Sequence, residues 1–336
     1  MKRKALILLA CLAISFAGIK VEDASANVLE LNALPQRIYA ANPTSLYLLY
    51  AVDRSKIAGL TFEFWPEEIR FLDPKVVQLP VLGGFFGKGK TPNMEKVLAA
   101  KPDLVMLSIG NKSQAAGDLE QVLKAANIPI FYTNTEDLEK TAQSLLTFGQ
   151  VTGQEERAKK LYAYAQESIK RAKEAKKLDK KPRVYYAEGK DGLLTECEGS
   201  RHTELITLAG GENVHKCTDT GTYGKHKIDF EKIASYDPDF IFVFDRDFYE
   251  KIASDEKFSL LRAVKEKKYY FGPKGPFPWF DRPPSFMRFL GLRWTLSVLR
   301  PDEFKLKDAE IDEFYELFLD LKLSEDDKIF IIKPKD

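Results

Sequence analysis

Apolar residues in this chain gather in short runs. Segments 104–107 and 240–244 are too short for helices and suit strands buried on both faces, as do 37–41, 57–61, 128–132, 183–187 and 268–271. Between them lie stretches of helical character: 45–52 behind an Asn42-Pro43-Thr44 turn, then 115–126, 135–151, 203–209, 247–253, 285–299 and 311–321. Strands alternating with helices predict an α/β protein with mostly parallel sheets covered by helices.

One pattern occurs twice. Residues 95–107 read EKVLAAKPDLVML and residues 231–243 read EKIASYDPDFIFV. Each is a short helix opening on a glutamate (Glu95, Glu231), a Pro-Asp break where proline cannot continue the helix, and a buried strand. Register held over the whole motif predicts two similar Rossmann-like lobes. Between the copies, 154–178 is rich in Ala, Glu, Lys and Arg and free of Gly and Pro. At 1.5 Å per residue it makes a rod of roughly 37 Å, placed to join the lobes. The division expected is an N-terminal lobe over 27–153, a connecting helix over 154–180, a C-terminal lobe over 181–323 and a loosely attached polar tail over 324–336.

The first residues read as an export signal. Lys2-Arg3-Lys4 precedes the apolar stretch 5–18, and Ala24-Ser25-Ala26 is a cleavage pattern that places the cut between Ala26 and Asn27. Cys11 ends a lipoprotein-like Leu-Leu-Ala-Cys, but the apolar run before it is too short, so a lipid anchor is not expected. An exported protein follows. The remaining cysteines, Cys197 and Cys217, are expected to form a disulfide in an oxidising compartment; two free thiols or a soft-metal site are the alternatives. The net charge of +1 offers no general attraction to nucleic acid.

Three segments carry a resemblance to a known family: PNMEKVLAAKPDLV at 92–105, ELI-x-LAGGENV at 204–214 and PWFDRPPS at 278–285, together with the second glutamate before Pro-Asp-Phe-Ile-Phe. The chain resembles the periplasmic substrate-binding proteins of ABC importers for iron–siderophore complexes, haem and cobalamin, over roughly 35–300. The resemblance implies the class III architecture, two α/β lobes on one long rigid helix, with small lobe movements. It implies a periplasmic monomer that performs no chemistry, carries no covalent cofactor and delivers a metal chelate to a permease homodimer. Glu95 and Glu231 fall where such proteins dock one glutamate onto each permease subunit; otherwise they are helix N-terminal acids favoured by the macrodipole. Ferric siderophore or ferric citrate is the leading cargo, followed by a nickel or cobalt complex, haem, cobalamin or molybdate.

In doubly wound folds ligands sit beyond the carboxyl ends of the strands. The N-lobe rim would offer Asn42, Phe64, Trp65, Phe85, Phe86 and the loop 108–111. The C-lobe rim would offer Arg201, His202, Tyr223, His226, Asp245, Arg246, Trp279 and Arg282. Aromatic rings stack on a flat chelate and guanidinium groups pair with its oxygens; the alternative for the three phenylalanines is a place in the core. His226, with Tyr223, is a candidate for direct metal contact, as a loop histidine is in related siderophore binders. His202, at a helix start beside Arg201 and the Cys197 loop, is an equal one. Their later-loop tyrosine is replaced here by Trp279 or Phe280. His215 is expected at the surface near Cys217. A reading of another class is an exported metal-dependent enzyme or metallochaperone built on His202, His226 and Glu196. Residues 84–91 match a P-loop, but Pro92-Asn93 separates them from the helix whose amides would face phosphates.

Overall fold

The computed structural model describes residues 18–87, 89–217 and 224–332. The N-lobe sheet runs Ile38–Ala40, Leu104–Ser108, Ile130–Thr133, all parallel, and the bridges Ile38–Ile57 and Leu60–Val81 extend it on the Ile38 side. The C-lobe sheet repeats the plan with Glu212–Asn213, Arg183–Ala187, Phe240–Val243 and Tyr269–Phe271 in parallel order. In each lobe the strand of the repeated motif sits inside the sheet, which is why its residues are apolar throughout: Leu104 to Leu107 and Ile241 to Val243 are buried.

The connector is the helix Glu155–Ala175. It is shorter than expected because the amides of Lys177 and Leu178 close turns onto Glu174 and Ala175 before Pro182. Its buried stripe, Ala158, Leu161, Tyr164, Ala165, Ser168, Ile169, Ala172 and Ala175, packs against Leu138–Thr152 and Arg288–Leu299. Gly149 permits the close approach to the first of these, since a Cβ there would lie 2.4 Å from that of Ala158. One apolar core crosses both lobes, taking in Ile38, Leu104, Val184, Phe242, Phe286 and Phe314.

Two boundaries differ from expectation. Residues 19–26 belong to the folded body: Ile19–Glu22 pairs antiparallel with Val28–Leu31, and Ala24–Asn27 lies at the turn. Buried Asp23 holds that turn through the amides of Ser25 (2.8 Å) and Asn27 (2.9 Å) and also accepts the Tyr132 amide at 3.2 Å. A cut between Ala26 and Asn27 would sever this hairpin. The C-terminal tail is a helix, Glu325–Ile332, with Ile331 buried against the core. Ion pairs Arg70–Asp327 and Lys328–Asp312 (2.8 Å) hold it, so one aspartate and one lysine of the helix anchor it.

Candidate functional site

Beyond the C-lobe strand ends lies a cluster of buried charge. Glu188 directly follows Arg183–Ala187, and Glu196 ends the strand Leu194–Glu196; both are fully buried. Arg282 donates from Nε to Glu188 at 2.9 Å, pairs through Nη2 with Glu196, and lies 3.3 Å from Asp281. Lys225 adds a second cation, 3.0 Å from Glu188. Charges taken out of water hold together only when paired in this way. Arg282 is therefore engaged within the protein, in contrast to the free guanidinium expected from sequence.

His202 joins the same cluster. Its Nδ1 lies 2.6 Å from the buried Asp281 carboxylate, which also accepts from Tyr186 Oη at 3.3 Å. A carboxylate on Nδ1 orients the ring and leaves Nε2 as its other functional atom. Asp245 accepts the Gly189 amide at 2.5 Å and so shapes the neighbouring loop.

A cavity of about 340 Å³ joins the two lobes beside this cluster, lined among others by Trp65, Glu67 and Glu68 of the N-lobe and Arg246, Lys274 and Arg282 of the C-lobe. Trp65, at its mouth, is 68% exposed. Lys274 Nζ lies over the rings of Phe271 (4.8 Å) and Phe244 (5.1 Å), and Arg246 lies 5.4 Å from the Phe271 centroid. Burial lowers the pKa of Lys274, and Arg246 adds to that, while Asp245 and Glu68 oppose it. Glu68 is pushed up to about 7: burial raises it, Glu67 raises it further, and the Trp65 amide and Lys274 pull it back. With Glu68 raised to about 7, the cavity sets Arg246 and Lys274 against the carboxylates of Glu67 and, above that pH, Glu68.

Other expected rim residues lie elsewhere. Trp279 is fully buried and donates from Nε1 to Tyr315 Oη at 3.3 Å. The helix Arg288–Leu299 presses on its backbone at Gly291, where a Cβ would meet the Trp279 carbonyl at 1.8 Å. It is a core residue and cannot stack on a ligand in the cleft. Phe64 is likewise core, between Phe62 and Phe277. Phe85 and Phe86 are half-buried, Phe86 lying edge-on to Phe62 at 5.3 Å. Arg201 ties the lobes together, donating to the Thr135 carbonyl at 3.0 Å; burial and then Arg288 lower its pKa. Asn42 caps the helix Pro43–Asp53 by accepting the Ser45 amide at 2.9 Å.

His226 sits mid-strand in Lys225–Lys227, opposite Thr195. Side chains alternate along a strand. Lys225 reaches Glu188 on the cleft side, and His226 turns the other way, 3.7 Å from Cys197 Sγ. Cys197 and Cys217 form a disulfide with Cα atoms 5.2 Å apart. His215 is buried, in contrast to the surface position expected. Tyr223 lies outside the described residues. Sequence reasoning missed Lys225, Lys274, Glu68 and Glu188. The signal for Glu188 and Lys274 was their place just past a strand end.

Glu95 and Glu231 are exposed and occupy equivalent places. Each lies in the first turn of a helix, Met94–Ala99 or Phe230–Tyr236, capped by Asn93 or Asp229 through the amide of Lys96 or Lys232. Glu231 also lies 3.6 Å from Lys257.

The chain matches the family model described as periplasmic binding protein over residues 85–276. A solved ABC transporter solute-binding protein from Sulfurospirillum deleyianum is 34% identical, with a TM-score of 0.85 over 94% of this chain and 99% of that one. A periplasmic solute-binding protein from Veillonella parvula is 24% identical at a TM-score of 0.79, covering 94% of this chain and 97% of that one. A vitamin B12-binding protein of Yersinia pestis is 24% identical over 181 residues, which span 53% of this chain and 60% of that relative. Among the described residues no helix is long and apolar enough to cross a membrane. With two parallel-sheet lobes on one long helix and a cavity between them, the chain belongs to the periplasmic binding proteins of ABC importers, a family that binds substrates rather than transforming them.

Proposed function

We propose that this protein captures a compact anionic metal chelate, with ferric citrate as the leading candidate, between its lobes. The observation that carries the reading is the cavity of about 340 Å³ shared by Trp65, Arg246 and Lys274. An aromatic face and two cations suit a carboxylate-coated complex. Its size lies near the lower end of ligand pockets, which span about 300–1,000 Å³. That favours a small chelate over a bulky siderophore, haem or cobalamin. A nickel or cobalt chelate is the second reading, favoured by His202, whose ring Asp281 orients as it would a metal-binding imidazole. The cargo then passes to an inner-membrane permease homodimer that Glu95 and Glu231 engage, the protein acting as a periplasmic monomer.

Tryptophan fluorescence and calorimetry against ferric citrate, ferric siderophores, nickel–histidine, haem, cobalamin and molybdate test the reading. Ferric citrate is expected to bind below roughly 10 μM and to quench Trp65. Trp65→Phe should remove most of the quench, because Trp279 is buried and neither it nor Trp294 lines the cavity. Failure of every small chelate to bind at that level overturns the proposal.

A further inference from the structure

Away from the cleft, Cys197, His215, Cys217 and His226 converge, one ligand atom from each lying within 4.8 Å of all the others. These are both cysteines of the described residues and two of the three histidines in the chain. The strand pair Leu194–Glu196 and Lys225–Lys227 brings Cys197 and His226 together, and a bond from the Glu198 amide to the His215 carbonyl (3.0 Å) draws in the third side chain.

The setting of His215 points to a ligand. Its Nδ1 lies 2.9 Å from Tyr236 Oη, and its Nε2 has no hydrogen-bond partner among the described residues although His215 is only 7% exposed. An imidazole held through one nitrogen, with the other left over among sulfurs, is the arrangement found at metal centres. A structural disulfide has no need of two imidazoles beside it.

We propose that the dithiol form of this cluster binds one Zn²⁺ through Cys197, His215, Cys217 and His226, and that the disulfide is the oxidised, metal-free state of the same site. Two thiolates balance the charge of the ion, so the loaded site is neutral and tolerates burial. Tetrahedral zinc with bonds of about 2.3 Å to sulfur and 2.0 Å to nitrogen sets its ligand atoms roughly 3.3–3.8 Å apart. The present cluster reaches that by opening the sulfur–sulfur bond and contracting modestly elsewhere. A dithiol reductant supplies the two electrons and two protons that convert the disulfide to two thiols, and is itself oxidised to a disulfide. Zinc binding then releases the two thiol protons to solvent. Oxidation by a disulfide reverses the sequence and frees the ion.

The test is an anaerobic titration of the purified protein with Co²⁺ and then Zn²⁺, oxidised or reduced. The reduced protein is expected to show a thiolate-to-cobalt charge-transfer band and to take one Zn²⁺ below about 1 μM; the oxidised protein shows no band. His215→Ala and His226→Ala each weaken binding strongly. Tyr236→Phe, which removes only the bond at the far ring nitrogen, weakens it by about 10–100-fold. If the reduced protein unfolds, refolding on zinc addition, followed by circular dichroism, supports the proposal, and failure to refold overturns it. Absence of the band after reduction, equal affinity in both redox states, or unchanged affinity in both histidine variants also overturns it. Chelate binding by the oxidised protein tests the cleft separately, so either reading can fail alone.

Discussion

Asp103 accepts the backbone amide of Arg37 at 2.9 Å, and it takes the amide of Gln36 as well at 2.7 Å. Asp239 does the same in the other lobe, accepting the Arg183 amide at 2.9 Å. The aspartate of each Pro-Asp break thus ties the entry of one central strand to its parallel neighbour. Asp239 also takes Arg262 at 3.0 Å. Its burial opposes ionisation, but the Arg183 amide and Arg262 outweigh that and hold its pKa below the usual value. A depressed carboxylate stabilises the fold above its unfolded pKa, and that contribution is lost as pH falls through the folded pKa. Urea unfolding of Asp103→Ala and Asp239→Ala should each show a loss of roughly 1–3 kcal/mol. Asp239→Asn should flatten part of the acid limb. No loss in either alanine variant would remove the structural reason for the duplicated Pro-Asp.

The architecture was legible in the sequence because its signals are local. Pro102 and Pro238 end helices, Asp103 and Asp239 follow them, and the buried strands are short apolar runs between polar ends. The site was less legible because its partners arrive from distant segments. Arg282 read as a free cation, yet Glu188 and Glu196, some 90 residues earlier, neutralise it. Trp279 read as a rim aromatic, yet Tyr315 and Gly291 enclose it. His226 read as a cleft ligand because a loop has no face; as a strand residue it alternates with Lys225, which takes the cleft side.

Glu68 gives the cavity a pH response. With its folded pKa raised to about 7, the folded protein holds a proton there that the unfolded chain has already released at about 4.5. Stability from this group is therefore present at acid pH and declines as pH rises between those values. The groups around it are Glu67 on its own helix, Tyr47 in the core behind it, and Lys274, Arg246 and Arg282 across the cavity, with Asp245 acting on Lys274. An anionic chelate adds negative charge beside Glu68, so its affinity should fall several-fold between about pH 6 and about pH 8, with proton uptake on binding. Calorimetry in buffers of different ionisation enthalpy reads the proton directly. Glu68→Gln should abolish both effects; persistence of the slope in that variant would assign it to another group.

The hairpin Ile19–Glu22/Val28–Leu31 makes a prediction about processing. Ser15 and Ala17 place small residues three and one positions before Gly18, a pattern that signal peptidases accept. Cutting there spares the hairpin. Intact-mass analysis of the exported protein should find Gly18 at its N-terminus. A chain beginning at Asn27 would lose the buried Val21 and the Asp23 bonds to Tyr132 and its own turn, at a cost of roughly 2–4 kcal/mol. A mature protein starting at Asn27 with undiminished stability would reinstate the Ala26 cut.

Glu95 and Glu231 owe little to the fold, and that is what makes them testable. Each sits exposed in the first turn of its helix, where Asn93 and Asp229 already cap the amides. Neither belongs to the set that lines the cavity. The double change Glu95→Ala, Glu231→Ala should therefore leave chelate affinity and unfolding midpoint close to those of the parent. If the duplicated motif presents two acids to two equivalent permease subunits, uptake of labelled chelate in cells should fall by at least tenfold, about 1.4 kcal/mol of lost engagement. Each single variant should retain part of it. Charge reversal to lysine should cost more than alanine, since like charges then face any arginine on the permease. Transport that survives the double change at parental rate would show that the acids merely start their helices, and that the importer reads another surface.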